Sequence, residues 1–140
     1  MKILLAADGS EFTKKALAFL VTHEAFVGEG NELVVINVQA PMPPRVKSIL
    51  GVAEIDAYHE EEAGKVLEPI KKFLDQHALN YSCNWVVGHV SDEIGLAITR
   101  EKAHMLVMGT RGHGVIARAL MGSVAQRVIA ECSIPVLLVQ

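Results

Sequence analysis

"MGTRGHGVIARALMGSVAQRV", Met108 to Val128, sets Gly109, Gly112, Gly114 and Gly122, with Arg111, Arg118 and His113, between an apolar run and a helix-like pattern. Gly109 lets the chain turn sharply off a strand. Gly112 and Gly114 allow positive φ and a close backbone approach, and Gly122-Ser123 opens a helix. Free N–H groups and a favourable dipole at that helix start form an anion site, with Ser123 able to bond either its own helix or a phosphate oxygen. Arg111 or Arg118 adds charge.

Working outward, "ILLAA" (3–7), "LVVINV" (33–38), "HMLVMG" (104–109) and "PVLLV" (135–139) are short branched apolar runs, as strands covered on both faces require. "YSCNWVVG" (81–88) sets Tyr81, Cys83, Trp85 and Val87 on one side, which predicts a half-exposed edge strand. Helical spacing links Phe12, Ala16, Leu17 and Leu20, then Val66, Leu67, Ile70, Phe73 and Leu74, then Ile94, Ala97 and Ile98. Helix starts are read at Ser10-Glu11, at Ser91-Asp92-Glu93, and at Ser123, where Gln126 completes a capping-box pattern. Five strands and four helices alternate, which predicts an α/β three-layer sandwich with a parallel sheet. Residues 40–51, rich in proline, read as a loop. Pro69 predicts a kink or a late helix start, and the acidic run 59–65 reads as a solvated helix face.

One domain over residues 1–140 is the simplest division. Hydrophobic residues make up 51% and charged residues 21%, the balance of a folding globular chain, and no apolar run is long enough for a membrane span. The N-terminal stretch reaches Asp8 before any signal-peptide core is complete, so a cytoplasmic protein is expected. A formal charge of -3 leaves no basic footprint for nucleic acid. Cys83 and Cys132 lack metal-ligand spacing and read as separate reduced thiols, and the six histidines show no HExxH pattern, so no protein-built metal site is expected.

In an open parallel sheet the ligand crevice lies beyond the carboxyl ends of the strands, where crossovers diverge. Asp8 and Gly109 stand at such ends. The chain has no GxxxxGK[ST], and the third glycine of a dinucleotide fingerprint would fall at Ala117. What fits is Gly109-x2-Gly112-x9-Gly122-Ser123, a spacing that resembles the ATP-binding signature of the universal stress protein family. "ILLAADGSEFTKKAL", "LVVINVQAP" and "GSVAQRVIAECSIPVLLV" resemble that family's first strand and helix, second strand, and closing helix and strand. The resemblance implies a Rossmann-like adenine nucleotide hydrolase-like fold with sheet order 3-2-1-4-5. It also implies a site lined by Ala6, Asp8, Val38, Met108, Gly109, Thr110, Arg111, Gly112, His113, Gly114, Gly122, Ser123 and Val124. The family often carries proline near Ala6 or Ala7 and at Ser91, which this chain lacks, and its residues at Arg111 and His113 vary.

The implied function is ATP binding, with AMP or ADP as related ligands and Mg²⁺ carried by the nucleotide, in a sensor or signalling module of a stress response. The implied assembly is a homodimer through the C-terminal strand, with no nucleic acid or membrane partner. Two rivals stand beside it: a slow ATPase or phosphoryl-transfer enzyme, for which Asp8 is the one candidate base, and a nucleotide-free dimeric interaction module. The glycine-rich stretch contains no lysine, so any turnover is expected to be slow. From the residues alone, Gly122-Ser123 also fits a plain helix start, Asp8 a cap on the following helix, and His113 a solvated loop position.

Overall fold

A computed structural model describes residues 1–113 and 120–140, so Gly114 and Arg118 lie outside the described residues. Five strands, β1 (Lys2–Ala6), β2 (Glu32–Gln39), β3 (Tyr81–Val87), β4 (Met105–Gly109) and β5 (Val136–Val139), form one parallel sheet in the order β3-β2-β1-β4-β5. The helices are α1 (Glu11–Val21), α2 (Glu24–Val27), α3 (Pro44–Lys47), α4 (Val52–Asp75), α5 (Val90–Glu101) and α6 (Ser123–Glu131).

Of the four strands that read as unbroken apolar runs, β1, β2 and β4 are inner, with both faces covered, whereas β5 is an edge. Ile3, Leu5, Leu33, Val35 and Val107 pack with Ala16, Leu17 and Leu20 of α1 and Leu67, Ile70 and Leu74 of α4. On the other face Leu4, Val34, Ile36, Leu106 and Met108 pack with Ile94 and Ala97 of α5 and Ala125 and Val128 of α6. Alternate residues of each strand thus feed two separate cores, which is the period of two expressed across three layers. The chain winds outward both ways from β1, and Ala6 is registered against Met108 of β4.

Several expectations need correction. Among the described residues there are six helices rather than four, because α2 and α3 are four-residue turns too short to leave a periodic signal. The proline-rich stretch 40–51 therefore contains α3, with Pro44 at its start, where a missing N–H costs nothing. Helix α4 begins well before Pro69 and carries it in its interior, so no late start occurs there. In the acidic run, Glu60 and Glu61 are exposed but His59 and Ala63 are buried on the core-facing stripe. Strand β3 is an edge, as read, yet Trp85 and Val87 remain exposed while Tyr81 and Cys83 pack onto the α4 side. Helix α5 starts one residue before Ser91, with His89 at its cap position.

The capping box at Ser123 does not form. Gly122 takes the cap position without a side-chain bond, Ser123 becomes the first helical residue, and the Gln126 side chain donates instead to the Met121 carbonyl at 3.0 Å. Both cysteines are free thiols, and burial pushes Cys83 up to about 11. No helix of the described residues is long and apolar enough to cross a membrane.

Candidate binding site at the switch point

At the carboxyl ends of β1 and β4 the crossovers part. Helix α1 packs on one face of the sheet and α6 on the other. A cavity of about 520 Å³ opens there, within the size range of small-molecule sites. Of the residues assigned from sequence, all those within the described residues line it: Ala6, Asp8, Val38, Met108, Gly109, Thr110, Arg111, Gly112, His113, Gly122, Ser123 and Val124. The tertiary structure adds Ala7, Ser10, Thr13, Ile36, Val90, Ile94, Met121 and Ala125. Ser10 and Thr13 had a legible signal, hydroxyls spaced three apart after a strand-end aspartate. Val90 and Ile94 had only their i, i+4 spacing, which says that they share a face but not what that face meets.

The inner part of the cavity is apolar, made by Ile36 and Val38 of β2, Val90 and Ile94 of α5, and Met108. The outer part is built from backbone. Thr110 donates its N–H to the Val139 carbonyl (2.9 Å) and accepts at its carbonyl from the Gly122 N–H (2.8 Å), so one residue ties the loop to β5 and to the start of α6. Gly109 is required by close approach, since a Cβ there would collide with Cβ of Phe12 and stand 2.9 Å from the Arg111 carbonyl oxygen. A Cβ on Gly112 would collide with Oδ2 of Asp8.

Asp8 organises the β1 side. Its Oδ1 accepts from the Ser10 N–H (2.9 Å) and the Thr13 hydroxyl (3.0 Å), while its own N–H donates to Thr13 Oγ1 (3.1 Å). Below it, Nδ2 of the buried Asn37 donates to the Ala7 carbonyl at 2.8 Å, and Oδ1 of Asn37 accepts from Gln39, so this buried amide is satisfied. The guanidinium of the lining residue Arg111 stands 5.0 Å from the centre of the Phe12 ring, and the Lys15 ammonium stands 5.3 Å from it.

Among the described residues, a buried hydroxyl stands in the wall without a partner. Thr110 is 4% exposed and its Oγ1 makes no hydrogen bond within the described residues. An unsatisfied buried hydroxyl costs about 1–3 kcal/mol, and native folds keep such groups where something else completes them. The Ser123 hydroxyl, at the rim, also makes no bond to its own helix.

A parallel sheet wound outward from β1, with its cavity at the strand-order reversal and a glycine loop running to a helix start, defines a doubly wound α/β protein with a switch-point binding cleft. The model of the universal stress protein family matches residues 1–140, and the chain belongs to that family. It is 34% identical to a universal stress protein of Thermus aquaticus, covering 99% of this chain and 97% of the relative. The solved structure of MJ0577 from Methanocaldococcus jannaschii superposes with a TM-score of 0.84 at 28% identity, over 99% of this chain and 94% of that one. A universal stress protein from Archaeoglobus fulgidus, solved in complex with dAMP, shares the fold with a TM-score of 0.71 at 21% identity, over 100% and 98% of the two chains.

Proposed function

We propose that the cavity binds an adenine nucleotide, ATP foremost with AMP and ADP as related ligands, and that binding makes the protein a nucleotide-dependent sensor or signalling module in a stress response. The observation that carries this reading is the join of an apolar chamber to a rim of loop peptides and an uncapped α6 start, with the Thr110 hydroxyl buried and unpartnered between them. The chamber of Ile36, Val38, Val90, Ile94 and Met108 suits a planar base, and Asp8 suits sugar hydroxyls. Peptide N–H groups of Arg111, Gly112, Ser123 and Val124, with the Ser123 and Thr110 hydroxyls, suit phosphates. Gly114 would join them by the family signature. Mg²⁺, in this reading, is carried by the nucleotide. The dAMP complex of the Archaeoglobus fulgidus protein supports the same ligand class.

Holding is favoured over cleaving. The Oδ1 atom of Asp8 already accepts from two donors, and no lysine stands in the stretch from Gly109 to Gly122. Efficient phosphoryl transfer needs a clamp on developing charge together with a positioned nucleophile. ATP at about 100 times its dissociation constant should raise stability by roughly 2.7 kcal/mol, read as a shift in the melting transition. Absence of both the shift and any heat in calorimetry at millimolar ATP would reject the reading.

We infer, too, that two copies pair through β5. That strand hydrogen-bonds β4 on one side only, and its four residues are apolar and half-buried on both faces. A bare edge of this kind invites antiparallel pairing with its own copy about a two-fold axis. Sedimentation at micromolar concentration should give a dimer, and Leu138→Glu should shift it toward monomer.

A further inference from the structure

His113 reads from sequence as a solvated loop residue, and it is indeed exposed. Its ring is nonetheless engaged, because Nε2 lies 2.8 Å from the main-chain carbonyl oxygen of Asp8. A carbonyl only accepts, so Nε2 carries the proton. One residue earlier, the Cα of Gly112 lies so close to Oδ2 of Asp8 that no side chain fits between them. The loop after β4 is therefore tied to Asp8 at its carbonyl and passes close beside its carboxylate. Asp8 is itself held by Ser10 and Thr13, so the tie is anchored in the start of α1. Gly9, at φ +78°, brings the chain past the ring, and a Cβ on it would stand 3.8 Å from Nε2.

We propose that His113 is a positioning residue: its Nε2–H latches the glycine-rich loop to the end of β1 across the switch point and so preorganises the loop peptides for the phosphates. The proposal deepens the nucleotide reading and rests on it. Gly109 and Gly112 bring no side chain to hold the loop, and its next described main-chain anchor is the Gly122–Thr110 bond. A loop that must be ordered on binding loses affinity by that ordering, and a latch made beforehand removes the loss.

The competing role for this imidazole is a cation on a phosphate, and the two differ in their response to pH. A latch through Nε2–H is available to both the neutral ring and the imidazolium, whereas a charge contact fades as the ring loses its proton. Among the described residues, the charged side chains lining this part of the cleft are Asp8, Glu11 and Arg111.

The experiment is ATP titration of the full chain by calorimetry, paired with nitrogen NMR of the ligand-free imidazoles. His113→Ala should weaken ATP binding about fivefold to tenfold, the loss of one hydrogen bond. His113→Gln, whose amide Nε2–H reaches the same position, should restore most of it, and the wild-type advantage over alanine should hold between about pH 5 and 8. Without ligand, His113 should show the Nε2–H tautomer when neutral, and the Gly112 amide should exchange faster in His113→Ala than in wild type. The latch is overturned if alanine binds like wild type, or if glutamine fails to restore and the advantage falls away as pH rises. A neutral Nδ1–H tautomer or unchanged Gly112 exchange overturns it as well. If the wild-type protein does not bind ATP at all, it is the nucleotide reading that fails, and the two NMR measurements judge the latch alone.

Discussion

Two glycine-bearing strand exits meet at the switch point, and they are built on opposite plans. The exit of β1, Asp8-Gly9-Ser10, closes on itself. Asp8 takes the Ser10 N–H and the Thr13 hydroxyl, and Ser10 Oγ accepts from the Thr13 N–H at 3.5 Å to cap α1. At the exit of β4 the described residues keep polar groups unpaired: among them Thr110 Oγ1 has no partner, the Gly122 cap has no side chain, and the Ser123 hydroxyl makes no bond to its helix. Neighbouring strands in register thus present one end whose side-chain hydroxyls are used internally and one that, among the described residues, keeps the Thr110 and Ser123 hydroxyls spare. A fold can afford that asymmetry where the spare end receives a ligand.

The widest test of this comparison uses the glycines. Gly109→Ala should destabilise the protein by about 3 kcal/mol, since its Cβ would be forced against Phe12, whereas Gly122→Ala should stay within about 0.5 kcal/mol, its Cβ finding ordinary contacts at 3.5 and 3.6 Å. Denaturant midpoints at constant slope would measure both. Equal losses would show that the β4 exit is as tightly packed at its α6 end, Gly122, as where it leaves the strand, Gly109.

The two buried threonines sharpen the contrast, because the same change should act with opposite sign. Thr13→Val strips Asp8 of a donor and an acceptor and should cost about 2 kcal/mol. Thr110→Val removes a hydroxyl that bonds nothing and should stabilise the ligand-free protein by about 1 kcal/mol while weakening ATP binding. Thermal melts with and without nucleotide separate the two effects, and destabilisation by Thr110→Val would mean that the hydroxyl is already satisfied.

The smallest effect is at the caps. Ser10→Ala should cost about 1 kcal/mol, whereas Ser123→Ala should change stability by less than about 0.5 kcal/mol and register mainly in the affinity for ATP. A cap-sized stability loss at Ser123 would restore the capping box that the tertiary structure replaces with Gly122.

The amino-acid sequence by itself determined the layers, the parallel sheet and the location of the cleft. Apolar runs bounded by glycine and proline, separated by i, i+3, i+4 patterns, are local signals that the inner strands and the longer helices obey, and the spacing from Gly109 to Gly122 marks one loop between one strand and one helix. Tertiary structure decided what depends on contact across the chain. Neither α2 nor α3 is long enough to carry a period, and the choice of Gly122 over Ser123 as cap follows from the Gly122 N–H being committed to Thr110. Val90 and Ile94 become cavity wall only because α5 lies over β2 beside α6, and His113 becomes a latch only because β1 and β4 pair, which brings together residues 105 positions apart. The division follows from the physics: periodicity and turn chemistry are properties of neighbours along the chain, whereas hydrogen-bond satisfaction and close approach are properties of neighbours in space.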